Sequence, residues 1–205
     1  MDEPGEGRGG AGRVEAFSDG VIAIIVTIMV LELKVPEHGD WRALLPLWPI
    51  FLAYVLSYAY VAIYWVNHHR LFSHAVRVSN TLIWSNMALL FTLSLIPFST
   101  AYLGTHHFST EAAQLYLASM ALPSICYAWL HAAIRSVSKH DGRTDAYHVA
   151  TSRKGYAAIA VYIAGIPLSA VSPWLGIACA ALVALFWIKP WSRLDSLFLR
   201  CEAPG

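Results

Sequence analysis

Six apolar blocks, each close to twenty residues long, run through this chain at about 14–35, 43–66, 81–103, 112–134, 155–172 and 174–190. A helix needs roughly 20 apolar residues to cross the hydrocarbon of a bilayer. Lipid offers no water to open backbone groups, so blocks of this length are expected to be helices. Charged residues make up 13% of the chain, against about 25% in soluble domains, and the mean hydropathy is +0.52. The expected fold is therefore an all-α polytopic membrane protein with six transmembrane helices over 13–190. A Gly-rich, disordered amino tail over 1–12 precedes it and a carboxyl tail over 191–205 follows. The fifth block runs into Ser172-Pro173, where proline disfavours helix at the residue before it. A tight helical hairpin is expected there rather than one long re-entrant segment. Leu31-Glu32-Leu33-Lys34-Val35-Pro36 lacks the small-residue pattern of a cleavage site, so the first block is read as a retained span.

Lysine and arginine set the orientation, because cytoplasmic loops carry them in excess. Arg8, Arg13, Arg70, Arg77, Arg135, Lys139, Arg143, Arg153, Lys154, Lys189, Arg193 and Arg200 fall on one side; only Lys34 and Arg42 fall on the other. Both termini are expected in the cytoplasm. This bias accounts for the basic loops without a nucleic-acid partner. Cys126 and Cys179 lie within spans and Cys201 in the tail, so no disulfide framework is implied.

Residues able to carry chemistry gather at the cytoplasmic membrane edge. Arg13, Phe17, Ser18 and Asp19 open the first span, and a charge held at a bilayer centre costs roughly 2.5–3.5 kcal/mol. At 100° per residue, Phe17, Gly20, Ile24, Thr27 and Leu31 form one stripe with Ile28 beside it, while Asp19 points to the opposite side. Val21, Ile22, Ala23, Ile25 and Val26 are apolar as well, so periodicity alone does not say which face is special. Ser18-Asp19-Gly20 also has the composition of a helix cap.

The second span closes on Tyr64-Trp65-Val66-Asn67-His68-His69-Arg70-Leu71-Phe72, and Asn80, Trp84 and Asn86 open the third. A histidine, Arg70 or an asparagine amide from this group would satisfy Asp19. The plainer alternative makes Trp65 and Trp84 interfacial anchors and Arg70 a positive-inside charge. His68-His69 and His106-His107 are separated by the third span and share no metal site. Neither an HExxH motif, paired CxxC motifs, a GxSxG elbow nor a phosphate-cradling loop occurs. No enzyme activity, metal centre or cofactor is expected.

Arg13-x-x-x-Phe17-Ser18-Asp19, followed by Gly20-Val-Ile-Ala-Ile-Ile-Val-Thr-Ile-Met-Val-Leu-Glu32, resembles the hallmark of the transmembrane protein 175 family. Those proteins are endosomal and lysosomal potassium channels with prokaryotic six-helix homologues. Tyr64-Trp65-x-x-His68-His69-Arg70-Leu71-Phe72 and Trp84-x-Asn86 through Ile96-Pro97-Phe98 are similar to that family too. A single copy of the motif resembles the prokaryotic form and implies a prokaryotic cell membrane. The resemblance implies a potassium-selective channel of four identical subunits, with the first helix of each lining a central pore. It places Ile24 at the narrowest constriction, Ile28 and Leu31 in further apolar layers, and Thr27 beside the permeating K+. It also implies a network bracing the pore helices, made of Arg13, Ser18 and Asp19 with His68 or His69, Asn80 and Trp84; Phe17 and Arg70 belong to the same motifs.

Potassium filters of backbone carbonyls use a Thr-Val-Gly-Tyr-Gly type of loop, which this chain lacks. Selectivity is expected instead at apolar rings, where an ion sheds part of its hydration and potassium loses its water more readily than sodium. The competing class is a secondary transporter of a small cation or solute, with two three-helix halves and broken helices at Pro97, Pro123 and Pro167. Against it, the halves share no matched motif and no charge lies in the middle of a span. A non-conducting membrane scaffold is the third class.

Overall fold

A computed structural model describes residues 6–37, 39–138 and 142–188. In chain order it contains α1 (Glu6–Leu31), a 3-10 turn at Trp41–Leu47, α2 (Trp48–Phe72), α3 (Asn80–Leu93), α4 (Ile96–Thr105), α5 (Thr110–Arg135), α6 (Gly142–Val171) and α7 (Pro173–Ile188). Five stretches are long and apolar enough to cross a membrane, and α7 is a sixth, shorter apolar helix. The expected carboxyl tail lies outside the described residues, as do the first five.

Three boundaries differ from the sequence expectation, each for a physical reason. Helix α1 begins at Glu6, inside the Gly-rich stretch read as disordered. Ala11 is buried there, and a Cβ on Gly10 would lie 3.2 Å from Val78 Cγ2. Packing against the α2–α3 connection thus overrides the weak helix propensity of glycine. Helix α6 begins at Gly142, so its first three turns occupy much of the connection between the apolar blocks at 112–134 and 155–172. Those turns are polar in composition, yet His148, Thr151 and Lys154 are buried at helical spacing, in line with Ala158 and Tyr162. The third span bends at Ser94-Leu95, because Pro97 lacks an N–H and its ring crowds the preceding turn. Pro123 and Pro167 sit inside unbroken helices, so two of the three breaks a transporter reading requires are absent.

Helix α5 is central, touching α2, α3, α4, α6 and α7, while α1 lies at one margin against α2, α3 and α4. A polar knot ties the middle of the bundle together. Thr100 donates to Ser57 Oγ at 2.6 Å, and Ser57 and the Tyr116 hydroxyl share a bond of 2.9 Å, joining α4, α2 and α5. At one end of the bundle the rings of Trp48, Phe108 and Trp174 stack with centroids 5.0–6.2 Å apart. At the other end His74 stacks on Tyr147, and His148 Nδ1 lies 3.0 Å from His131 Nε2. His68-His69 and His106-His107 fall at opposite ends, as expected.

Helices α2 and α4 approach so closely that a Cβ on Gly104 would sit 2.8 Å from Ile50 Cα. The obstacle is backbone, which does not yield as a flexible side chain does. Gly104→Ala is expected to cost about 1–3 kcal/mol. It should lower the thermal unfolding midpoint of the purified protein by roughly 2–4 °C per kcal/mol. An unchanged midpoint would show that the two helices separate freely.

Candidate pore helix and its brace

The face that periodicity leaves open is resolved by packing. Ser18, Ile22, Ile25 and Met29 form the buried seam of α1, at steps of four, three and four residues. Ile24 is 57% exposed, Ile28 43% and Leu31 77%, and Gly20 and Thr27 are exposed with them. The stripe with Ile24, Thr27, Ile28 and Leu31 therefore lies on a face that its own subunit leaves uncovered. The Thr27 hydroxyl donates to Ile24 O at 2.9 Å. With its proton committed to the helix backbone, it presents oxygen lone pairs outward.

Three contacts hold the amino half of α1 against the rest of the subunit. His68 Nε2 lies 2.9 Å from Asn86 Oδ1, Asn86 Nδ2 donates to Ser18 Oγ at 2.8 Å, and Ser18 Oγ donates to Val14 O at 2.8 Å. Since the amide nitrogen faces serine, its oxygen faces histidine and His68 Nε2 carries the proton. The chain of donors thus runs in one direction and ends on the backbone of α1. Ser18, His68 and Asn86 are each 0% exposed, and a hydrogen bond in such a dry setting is costly to lose. Next to it, Trp65 Nε1 donates to Asp19 Oδ1 at 2.9 Å. One turn earlier, His69 Nδ1 meets Glu15 Oε1 at 2.7 Å. Positions 15, 18 and 19 of α1 face 65, 68 and 69 of α2 with the same spacing, one helical turn on each side.

The expected network is thus assembled in part and with different partners. Ser18, Asp19, His68 and His69 take part. Arg13, Phe17, Arg70, Asn80 and Trp84 are exposed, and their side chains make no hydrogen bond or ion pair among the described residues. Asp19 is met by an indole rather than by a histidine, Arg70 or an amide. The asparagine of the network is Asn86, not Asn80. Asn80 follows Ser79, whose hydroxyl caps α3 by accepting from Leu82 N at 3.1 Å. Asn86 lies on the buried seam of α3 with Leu82, Leu89 and Leu93. Glu15 and Trp65 were also missed as partners; the matching spacing of 15/18/19 and 65/68/69 is the signal that locates them. Among the described residues no group of histidine, cysteine and acidic side chains is arranged to hold a metal.

Comparison with known proteins converges on one group. Residues 13–97 match the family model of the endosomal/lysosomal potassium channel TMEM175. A Chryseobacterium protein named as a potassium channel is 44% identical over 185 residues, 90% of this chain and 95% of that one. The human protein named as the endosomal/lysosomal proton channel TMEM175 is 41% identical over 95 residues, 40% of this chain and 18% of that protein. The crystal structure of a lysosomal potassium-selective channel TMEM175 homologue from Chamaesiphon minutus superposes with a TM-score of 0.80 at 30% identity. It covers 90% of this chain and 100% of that one.

Proposed function

The chain belongs to the TMEM175 family, and from that premise we propose that it is a potassium channel of a prokaryotic cell membrane, assembled from four copies. Helix α1 of each copy lines a central pore, and both termini are cytoplasmic. The observation that carries this reading is the division of α1 into two faces. One is buried or bonded to α2 and α3; the other leaves Ile24, Thr27, Ile28 and Leu31 uncovered. A helix held this firmly on one side, with an apolar face open on the other, suits the wall of an axial pathway.

A second exposed seam supports assembly into a multimer. Trp84 and Phe91 lie seven residues apart on α3, and Phe98 follows on α4 beyond the bend, each at least 63% exposed. Seven residues is close to two helical turns, so the rings of Trp84 and Phe91 share one face of α3, which suits contact with a neighbouring copy.

Ile24 forms the constriction and closes the pore by dewetting. Ile28 and Leu31 form further apolar layers. Four Thr27 oxygens stand in for part of the water a potassium ion sheds. Arg13, Phe17, Arg70, Asn80 and Trp84 are left to interfaces between copies or to the membrane edge. The test is reconstitution into planar bilayers with ion substitution. Unitary currents reversing near the potassium equilibrium potential support the channel, and reversal that follows the proton gradient instead would replace potassium with protons. Saturable coupled flux without unitary steps would establish a transporter.

The brace has its own test. Trp65→Phe keeps an aromatic ring at the membrane edge but removes the donor to Asp19. Asp19→Asn keeps an acceptor for that donor. Trp65→Phe is expected to lower assembly or open probability more than Asp19→Asn, by about 0.5–1.5 kcal/mol for the lost bond. Both should leave the permeability ratio near that of the parent. A changed ratio in single-channel recordings from either variant would move Asp19 from the brace into the ion pathway.

A further inference from the structure

The 3-10 turn Trp41–Leu47 reads Trp-Arg-Ala-Leu-Leu-Pro-Leu, apolar except for its arginine, yet none of its residues is buried. Trp41 is 86% exposed and Leu45 71%. A 3-10 turn brings every third residue into one row. Trp41 and Leu44 therefore share one exposed row, and Arg42, Leu45 and Trp48 the next. Asp40 fixes the start of the turn by accepting from Ala43 N at 2.8 Å. This apolar surface belongs to a defined element, and its own subunit leaves it bare.

The level of the turn in the membrane identifies what covers it. Helix α2 follows directly at Trp48 and has 25 residues, about 37 Å at 1.5 Å per residue. That already exceeds the roughly 30 Å of hydrocarbon, so the turn adds nothing to the span and lies along the bilayer surface. Trp48 and Trp174, half-exposed and stacked with Phe108 at this end, mark the interfacial level at which indoles settle. The polar groups of the turn fit the same depth. Arg42 makes no hydrogen bond or ion pair among the described residues, and the indole N–H groups of Trp41 and Trp48 have no acceptor there. A phosphate matches the fork of a guanidinium. Ester carbonyls just below it accept from indoles, whose rings suit a boundary that is wet at one end and apolar at the other. Upper acyl chains cover Leu44 and Leu45.

We propose that Trp41–Leu47 docks on the phospholipid of the leaflet at its own end of the bundle. Arg42 holds a phosphate, Trp41 and Trp48 lie at the ester level, and Leu44 and Leu45 enter the upper chains. The contact has a structural consequence for α1. The amino half of α1 is bonded to α2 and α3, whereas its carboxyl half makes no side-chain hydrogen bond outside its own helix among the described residues. Residues 32–40 tie that half to the turn, so a turn held by lipid steadies the end that the brace leaves free. On the channel reading given above, undocking the turn therefore alters opening.

The test is spin-label depth in the full-length protein, reconstituted in phosphatidylcholine and phosphatidylglycerol vesicles. Cys126, Cys179 and Cys201 are replaced by serine, and single labels are placed at Trp41→Cys, Leu45→Cys and, for comparison, Glu37→Cys. All three positions are exposed, so the labels leave the core untouched. Collision with oxygen, which enters lipid, is compared with collision with a water-soluble nickel chelate. The oxygen-to-nickel ratio at 41 and 45 is expected to be severalfold that at 37. Arg42→Gln should lower the ratio at 45 towards that at 37, because the phosphate contact no longer holds the turn down. Ratios at 41 and 45 equal to that at 37 would overturn the proposal. So would labels shielded from both reagents, which would place a neighbouring copy on the turn. An unchanged ratio at 45 in Arg42→Gln would remove the phosphate contact. Depth is read without any current, so its failure is distinguishable from failure of the channel assignment.

Discussion

Replacing Ile24 by asparagine is expected to raise the current through the assembled protein about tenfold, equivalent to about 1.4 kcal/mol off the barrier. The potassium-over-sodium permeability ratio should move towards one. On the proposed channel reading, an apolar ring at Ile24 would exclude water when the pore is narrow, and an ion would cross only by giving up hydration. In the proposed four-copy pore, four amides in place of four isoleucines would hold water there and supply oxygen to either cation, so both the gate and the discrimination would weaken together. The substitution is well suited to the purpose because Ile24 is 57% exposed in its own subunit, whereas Ile22 and Ile25 are each 3% exposed in the core. Ile24→Asn should therefore elute from size exclusion as the parent does. Ile25→Asn should fail to assemble, since it buries an amide without partners. Permeability ratios of Ile24→Asn equal to those of the parent would remove Ile24 from the constriction.

The largest effect on stability is expected from Asn86→Leu. The asparagine is bonded on both sides, to His68 Nε2 and to Ser18 Oγ, and all three residues are 0% exposed. Leucine has similar bulk, so packing is roughly preserved, but a ring N–H and a serine oxygen lose their partner at once. Each such loss costs about 1–3 kcal/mol when the group is buried. His68 Nδ1 has no hydrogen-bond partner among the described residues, so the ring has no second bond to fall back on. Asn86→Leu should lower the assembly midpoint by more than Trp65→Phe or Gly104→Ala. The double variant with Ser18→Ala should lose little more than Asn86→Leu alone, because the two positions share one bond. Additive losses in that cycle would show that Ser18 and Asn86 act separately.

Much of this architecture is legible in the sequence because lipid leaves the chain little choice: length and apolarity decide the spans, and lysine and arginine suggest their direction. What escapes is what depends on register in three dimensions. The first turns of α6 read as a loop because hydropathy registers His148, Thr151 and Lys154 as polar, although all three are buried at helical spacing. The amino end of α1 reads as disordered because glycine is a poor helix former, while its packing partner Val78 lies far along the chain. Asp19 is readily recognised as needing a partner. An indole is easily passed over as one, since tryptophan at a membrane edge has a sufficient reason to be there. Asn80 and Asn86 look alike in one dimension. Only the seam of Leu82, Leu89 and Leu93 separates the residue that faces α1 from the one that follows a helix cap. Ile24, Thr27, Ile28 and Leu31 share one side of α1 at 100° per residue, but nothing in their apolar neighbours distinguishes a pore wall from a lipid contact.

Cysteine accessibility distinguishes these two surfaces most directly. In a background with Cys126, Cys179 and Cys201 replaced by serine, single cysteines at positions 24, 27, 28 and 31, and at 22, 25 and 29 for comparison, are exposed during recording to a water-soluble, charged thiosulfonate. If α1 lines the pore, current should fall at Thr27→Cys and Leu31→Cys and stay unchanged at Ile22→Cys, Ile25→Cys and Met29→Cys. If the stripe faces lipid, the charged reagent will leave all seven currents unaltered, while a membrane-soluble maleimide labels positions 24, 28 and 31.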